Sequence, residues 1–396
     1  MRITPASELK DRCQKLQKLM QDAGLDAVLL LQNADLFYFT GSIQQGVLYI
    51  PASGEPVYMV RKEYTRARME CGLKEIVPFK SPRNIPEILS DFGLPLPKKA
   101  GMELDVLPVA LFGRFRNVLP GCEIVDVSNL VRTVRSVKSS YEIEIMKDAA
   151  LQVEKVCQRA REVIKIGMTD LELAAELEYA ARKAGHQGLV RMRGFNSELF
   201  YGQVFSGPDS AVPAFNDTPL GGLGVNPSVG QGPSYKRIEA NEPIVVDFTG
   251  AFDGYLVDQT RIFCIGGLPD QLRKAYDDMV KIEQHAKQIA LPGVAWGAVY
   301  DECHKMAVDM GYAEHFMGSA GAQVSFIGHG IGTEIDEYPF IARGFSDQLL
   351  EENMTFAFEP KAVYPGLGAV GVENTFWVAG DGLKHITFSS EELVVL

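Results

Sequence analysis

Ile244-Val245-Val246-Asp247-Phe248-Thr249-Gly250-Ala251-Phe252-Asp253-Gly254-Tyr255-Leu256-Val257-Asp258 is the stretch on which the fold turns. An apolar run ends at Asp247, a Phe-Asp-Gly turn signal follows, and a second apolar run carries Asp258. A hairpin centred on residues 252–254 sets Asp247 opposite Asp258, with both side chains on one face. The same count around Pro365-Gly366-Leu367-Gly368 sets Glu359 opposite Glu373. Directly opposed side chains lie roughly 4.5–5.5 Å apart at Cβ, where like charges destabilise the pair. Two such clashes, on strands that otherwise read as buried, call for a positive partner. One or two divalent cations supply it most simply. Asp253 sits in the turn and reads as a turn former.

His329 lies in Gly328-His329-Gly330-Ile331-Gly332, where small neighbours let backbone and imidazole approach a crowded centre. Glu359 and Glu373 have apolar surroundings, Phe356-Ala357-Phe358 and Val370 with Val372, which argues against exposed strand-end charges. Carboxylate oxygens with one imidazole suit Mn2+, Fe2+, Co2+ or Zn2+. The lack of thiolates disfavours a structural zinc site. A carboxylate-rich site can hold two ions roughly 3.5–4 Å apart, activating water and polarising a carbonyl.

The rest of the chain sets the frame. Its 396 residues, 46% hydrophobic and 23% charged, fit a globular protein of one large or two ordinary domains. A net charge of −12 argues against nucleic acid or an anionic membrane as partner. The first residues show no signal-peptide core, and no apolar run approaches the ~20 residues of a membrane helix. The six cysteines, without CxxC spacing, read as reduced thiols, so a cytoplasmic location is expected.

Alternating strand and helix signals mark an α/β domain over residues 1–134. Its elements include a helix over 7–24, strands at 26–31, 46–50, 56–60 and 75–77, and a closing strand at 123–127. A second, α+β domain over 135–396 opens with a long amphipathic helix from about residue 142, followed by a helix capped by Thr169 and Glu172. Gly167 to Gly185 and Gly293 to Gly311 each enclose a helix that follows a longer one, an offset of 126 positions. This echo predicts a duplicated fold with pseudo-two-fold symmetry, in which acids from both halves meet. The Gly- and Pro-rich segment 217–236 reads as a long loop, either a flexible excursion or a wall of the cleft. Phe195, Phe200 and Tyr201 read as core, with the lining of the substrate cleft as the alternative.

The order Asp247, Asp258, His329, Glu359, Glu373 resembles that of the pita-bread metallopeptidases, which include prolidase, Xaa-Pro aminopeptidase and creatinase relatives. The matching segments are VVDFTGAFDGYLVDQTRIF, GHGIGTEIDEYPF, FEPKAVYPGLG and GVENTFWV, and LDAVLLLQNADLFYFTG is similar to the creatinase-like amino-terminal domain. The resemblance implies that the five residues bind two divalent ions, Mn2+ foremost, with Asp258 and Glu373 bridging them and Glu359 also acting as general base. It further implies a homodimer and a short-peptide or small-amide substrate. Four positions depart from the pattern. A family histidine seven residues after His329 is here Asp336, and a second falls on Ala214 or Phe215. The arginine and aspartate flanking the last glutamate are Gly371 and Asn374. Ala214, Phe215 and Tyr338 are expected on the substrate side, and Asp336 in a catalytic role. The alternatives are a small-amidine hydrolase or lyase using Asp336 on the same scaffold, and a metal-binding homologue without chemistry.

Overall fold

The computed structural model describes residues 2–396, in two compact units. The first runs to Arg135 and takes in Arg193–Ser197; the second comprises Ser136–Met192 and Glu198–Leu396. Helices α1 (Ala6–Asp22), α2 (Asn33–Thr40), α3 (Tyr64–Glu70), α4 (Ile85–Asp91), α5 (Val109–Val118) and α6 (Ser128–Ser136) accompany strands β1 (Ala27–Leu30), β2 (Gly46–Pro51), β3 (Val57–Val60), β4 (Glu75–Pro78), β5 (Lys99–Met102) and β6 (Glu123–Asp126). The strands form one mixed sheet in the order β4-β3-β2-β1-β5-β6. Its residues alternate between two cores. Val28, Leu30, Leu48 and Ile50 join Leu16 and Met20 on one face, while Ala27, Leu29, Val47 and Tyr49 join Ile85, Leu89 and Phe115 on the other. Burial on both faces explains why these strands read as continuous apolar runs. Arg193 is held within this unit by Asp35 at 2.8 Å and Asp105 at 2.6 Å. Phe195, expected in a core, is 93% exposed.

The second unit contains α7 (Ser140–Val163), α8 (Asp170–Lys183), β7 (Gly202–Ser206), β8 (Ile244–Phe252), β9 (Tyr255–Cys264), α9 (Asp270–Ile289), α10 (Trp296–Asp309), β10 (Phe326–Ile331), β11 (Ile335–Ala342), β12 (Thr355–Phe358), β13 (Lys361–Tyr364), β14 (Gly368–Gly371), β15 (Asn374–Ala379), β16 (Gly382–His385) and β17 (Val394–Val395). Two capping boxes fix helix starts, Ser139 with Glu142 and Thr169 with Glu172. Such caps contribute about 0.5–2 kcal/mol each. The duplication is visible in the helices. Val163 and Ile289, Asp170 and Trp296, and Lys183 and Asp309 are matching ends, each pair 126 positions apart. Helices α7 and α8 pack on the sheet β17-β9-β8-β7, whereas α10 packs on β11, and α9 on β14 and β16. Segment 217–236 has no regular element but is cross-linked by Gly232 N–H to the Gly221 carbonyl and Gly224 N–H to the Gly232 carbonyl, with Leu220 and Gln231 buried.

The first hairpin differs from the count made on the sequence. Asp253 and Gly254 both take positive φ, 44° and 88°, and form a two-residue turn that pairs Phe252 with Tyr255. Asp247 therefore faces Thr260, and Asp258 faces Thr249. The two aspartates share a face as diagonal neighbours, roughly 7–8 Å apart along the ladder, and are not directly opposed. The second count holds. Phe358 pairs with Asn374 and Lys361 with Gly371, and this register, carried across the gap, sets Glu359 opposite Glu373. Pro360 has no N–H, so the ladder parts there. The Glu359 N–H turns to the Ile327 carbonyl of β10 at 2.8 Å, and the Glu373 N–H to the Thr260 carbonyl of β9 at 3.4 Å. The two glutamates thus stand where the sheets meet.

No helix among the described residues is long and apolar enough to cross a membrane. All six cysteines are free, and five are buried.

Candidate metal centre

Asp258, His329 and Glu373 each offer a ligand atom within 4.8 Å of the others, and all three are buried. Asp258 comes from β9, His329 from β10, and Glu373 from the break before β15. The glycines beside His329 are required by packing: a Cβ on Gly330 would lie 2.3 Å from the Tyr338 carbonyl carbon. His329 Nε2 is 3.8 Å from Glu359 Oε1 and 3.9 Å from Glu373 Oε1, and its Nδ1 is 3.6 Å from Asp336 Oδ1. Asp247, half-buried, feels Glu373, Lys361 and Glu359 electrostatically. Asp336 takes φ 62° where the β10–β11 register shifts, a left-handed conformation that aspartate tolerates better than most residues.

One participant was not anticipated from the sequence. The Lys361 ammonium lies 3.0 Å from Glu359 Oε2 and 3.2 Å from Glu373 Oε2, with its side chain 1% exposed. Positions 359 and 361 share a strand face, so the two-residue period carried the signal. Thr260 Oγ1 donates to Glu373 Oε2 at 2.7 Å. Asn374, where the family pattern has an acid, donates to Glu283 at 2.7 Å and accepts from Arg261 at 2.7 Å.

The electrostatics follow from burying acids together. Burial, then Glu373, pushes the Asp247 carboxyl up to about 8. Burial pushes Glu359 up to about 7 against the pull of Lys361. Asp258 is pushed well up by burial and by Glu373, Asp247 and Glu359. Burial acts the same way on Glu373, but Lys361 and His329 prevail and hold it below its ordinary value. Burial opposes charge on His329, yet Asp336, Glu359 and Glu373 raise its pKa. Asp247 and Glu359 start from 3.8 and 4.5 in the unfolded chain, so the folded, metal-free chain retains protons that the unfolded chain has released. Their contribution to stability is present below about pH 4 and falls as pH rises to about 7–8. The metal-free protein is expected to lose melting temperature from about pH 6 to about pH 8 by calorimetry. Saturating divalent ion should flatten that slope, because the ion displaces the protons.

A cavity of about 560 Å3 in this unit is lined by His329, Asp336, Phe326, Phe340, Phe345 and Arg343, and also by Asp217 of the long loop, which makes that loop a wall. Ala214, Phe215 and Tyr338 do not line it. Ala214 is half-buried, Phe215 is 67% exposed, and Tyr338 packs on Trp296.

The family model "Metallopeptidase family M24" matches residues 144–379, which include all five acid and histidine positions. The chain belongs to metallopeptidase family M24. A Creatinase/Prolidase N-terminal domain matches residues 12–137 of the same M24 chain. The Xaa-Pro dipeptidase of Pyrococcus furiosus is 28% identical over 388 residues, covering 98% of this M24 chain and 100% of the relative. Among solved structures, an Xaa-Pro dipeptidase from Bacillus anthracis is 26% identical with a TM-score of 0.83, covering 98% of this chain and 100% of that one. The prolidase from Pyrococcus horikoshii OT3 is 25% identical with a TM-score of 0.80, covering 97% and 100%. The creatinase-like and pita-bread architecture expected from the sequence is therefore the fold of this M24 protein.

Proposed function

We propose that this chain is a metal-dependent hydrolase of Xaa-Pro dipeptides or closely related short peptides. The observation that carries the reading is the convergence of buried Asp258, His329 and Glu373, from separate strands, beside a cavity in an M24 catalytic unit. Those three, flanked by Asp247 and Glu359, would hold the divalent metal. Oxygen-rich donors with one imidazole suit Mn2+, and also accept Co2+, Fe2+ or Zn2+. Bound there, such an ion supplies Lewis acidity toward a carbonyl and toward water. The expected second ion meets an obstacle in Lys361, and the site fits one ion better than two.

The side chains supply the proton traffic and the positioning. Glu359 Oε1, the oxygen not engaged by Lys361, is placed to take a proton from the attacking water and return it to the leaving amine, with a pKa raised into the working range. The phenylalanines of the cavity offer an apolar surface, and Arg343 offers a cation for the free carboxylate of a dipeptide. Asp336 acts through His329, fixing the imidazole by its charge at 3.6 Å. On this reading Asp336→Asn is expected to lower metal affinity and kcat/KM by about 10–100-fold and to shift the pH profile. Unchanged values on both counts would remove Asp336 from the mechanism.

The division into a creatinase-like domain over 1–134 and a catalytic domain over 135–396, a cytoplasmic location and a homodimer belong to the same proposal. The test is a panel of Xaa-Pro dipeptides and tripeptides with added Mn2+ or Co2+. Turnover of free-acid dipeptides, with amidated ones poorer, supports it. A metal-loaded protein inert on the whole panel would turn the assignment toward the amidine hydrolase or lyase alternative.

A further inference from the structure

We propose that the Lys361 ammonium is a built-in cation standing in for one of the two ions expected in this site, so that the chain binds a single divalent ion. The inference rests on the reading that Asp258, His329 and Glu373 hold metal. Its basis is the occupancy of carboxylate oxygens. Glu373 Oε2 accepts from Thr260 Oγ1 at 2.7 Å and from Lys361 Nζ at 3.2 Å. An ionised carboxylate oxygen has two lone pairs, and both are used. A carboxylate that bridges through both oxygens gives one to each ion, and outside these bonds Glu373 has only Oε1 to give. Glu359 likewise directs Oε2 to Lys361 at 3.0 Å and keeps Oε1.

The lysine is built into this place. Its side chain is 1% exposed. It stands opposite Gly371 in the β13–β14 ladder, and a Cβ at 371 would lie 2.7 Å from Lys361 Cδ. The Pro360 carbonyl oxygen, 2.3 Å from the same Cβ position, also requires glycine at 371, so the strands close tightly around the lysine stem. Charge points the same way. One divalent ion and one ammonium nearly balance Asp247, Asp258, Glu359 and Glu373. A second ion would bring another divalent charge against the ammonium, among groups that are buried. The remaining group of Asp258, His329 and Glu373 Oε1 is free of the lysine and within ligand reach of one ion.

Full-length protein stripped of metal, reloaded with excess Mn2+ and freed of unbound ion would be analysed for manganese per chain, with electron paramagnetic resonance on the same sample. One ion per chain, with the spectrum of an uncoupled Mn2+, is expected. Lys361→Met, which keeps the stem and removes the charge, should raise the count to two and bring in exchange coupling. Two ions in the unaltered protein would overturn the inference and leave the hydrolase reading standing. A Lys361→Met protein that folds and still takes one ion would overturn the excluding role of the lysine. No ion in the unaltered protein would strike the metal reading itself. The unaltered protein's count decides even if the variant fails to fold.

Discussion

Glu373→Gln is expected to lose the bound ion and to lower kcat/KM on an Xaa-Pro dipeptide by on the order of 10³-fold or more, the upper range for removing one electrostatic partner of a transition state. Glu373 holds the centre together. Its Oε1 faces His329 at 3.9 Å, and its Oε2 takes Lys361 at 3.2 Å and Thr260 at 2.7 Å. Losing its charge leaves the Lys361 ammonium, 1% exposed, with Glu359 as its nearest anion. Breaking a buried ion pair from one side costs about 3–5 kcal/mol. The variant should therefore also unfold at lower denaturant, and added Mn2+ should no longer stabilise it. A Glu373→Gln protein with unchanged ion uptake and activity would show that the ion, if bound, sits elsewhere.

Glu359→Gln should separate chemistry from metal binding. The three residues that converge within 4.8 Å do not include Glu359, so the ion is expected to remain. Removing the proton acceptor should lower kcat by about 10²–10⁴-fold, the usual contribution of a positioned acid–base group, with KM little changed. Titration calorimetry would confirm that Mn2+ still binds. The fold should hold better than in Glu373→Gln, because the amide oxygen can still accept from Lys361 and Glu373 keeps its charge to balance the ammonium. A variant with full turnover would place the base elsewhere, and Asp336 is the acid next to be examined.

Much of this was legible in the chain because each signal was local or periodic. The capping box at Thr169, the second hairpin register and the 126-position echo all follow from spacing. The first hairpin slipped because a turn signal locates a loop but not its length. A two-residue loop at Asp253-Gly254 moves the partner of Asp247 from 258 to 260. Helix α2 was missed because its Phe37-Tyr38-Phe39 run has strand propensity that tertiary packing overrides. Strand β5 was missed because Lys99-Ala100-Gly101-Met102 has little strand propensity, and a Cβ on Gly101 would meet Val127 at 2.2 Å. Lys361 was hidden for another reason: a lysine beside a glutamate normally reads as a solvated charge. Only burial at the junction of two sheets turns it inward, and that is a property of the assembled sheets.

The most direct test of the centre is a crystal of the Mn2+-loaded protein with anomalous diffraction at the manganese edge. One peak bounded by Asp258, His329 and Glu373, with the Lys361 ammonium still between the two glutamates, is the expected result. A map with no peak there, or with these side chains turned apart into solvent, would contradict it.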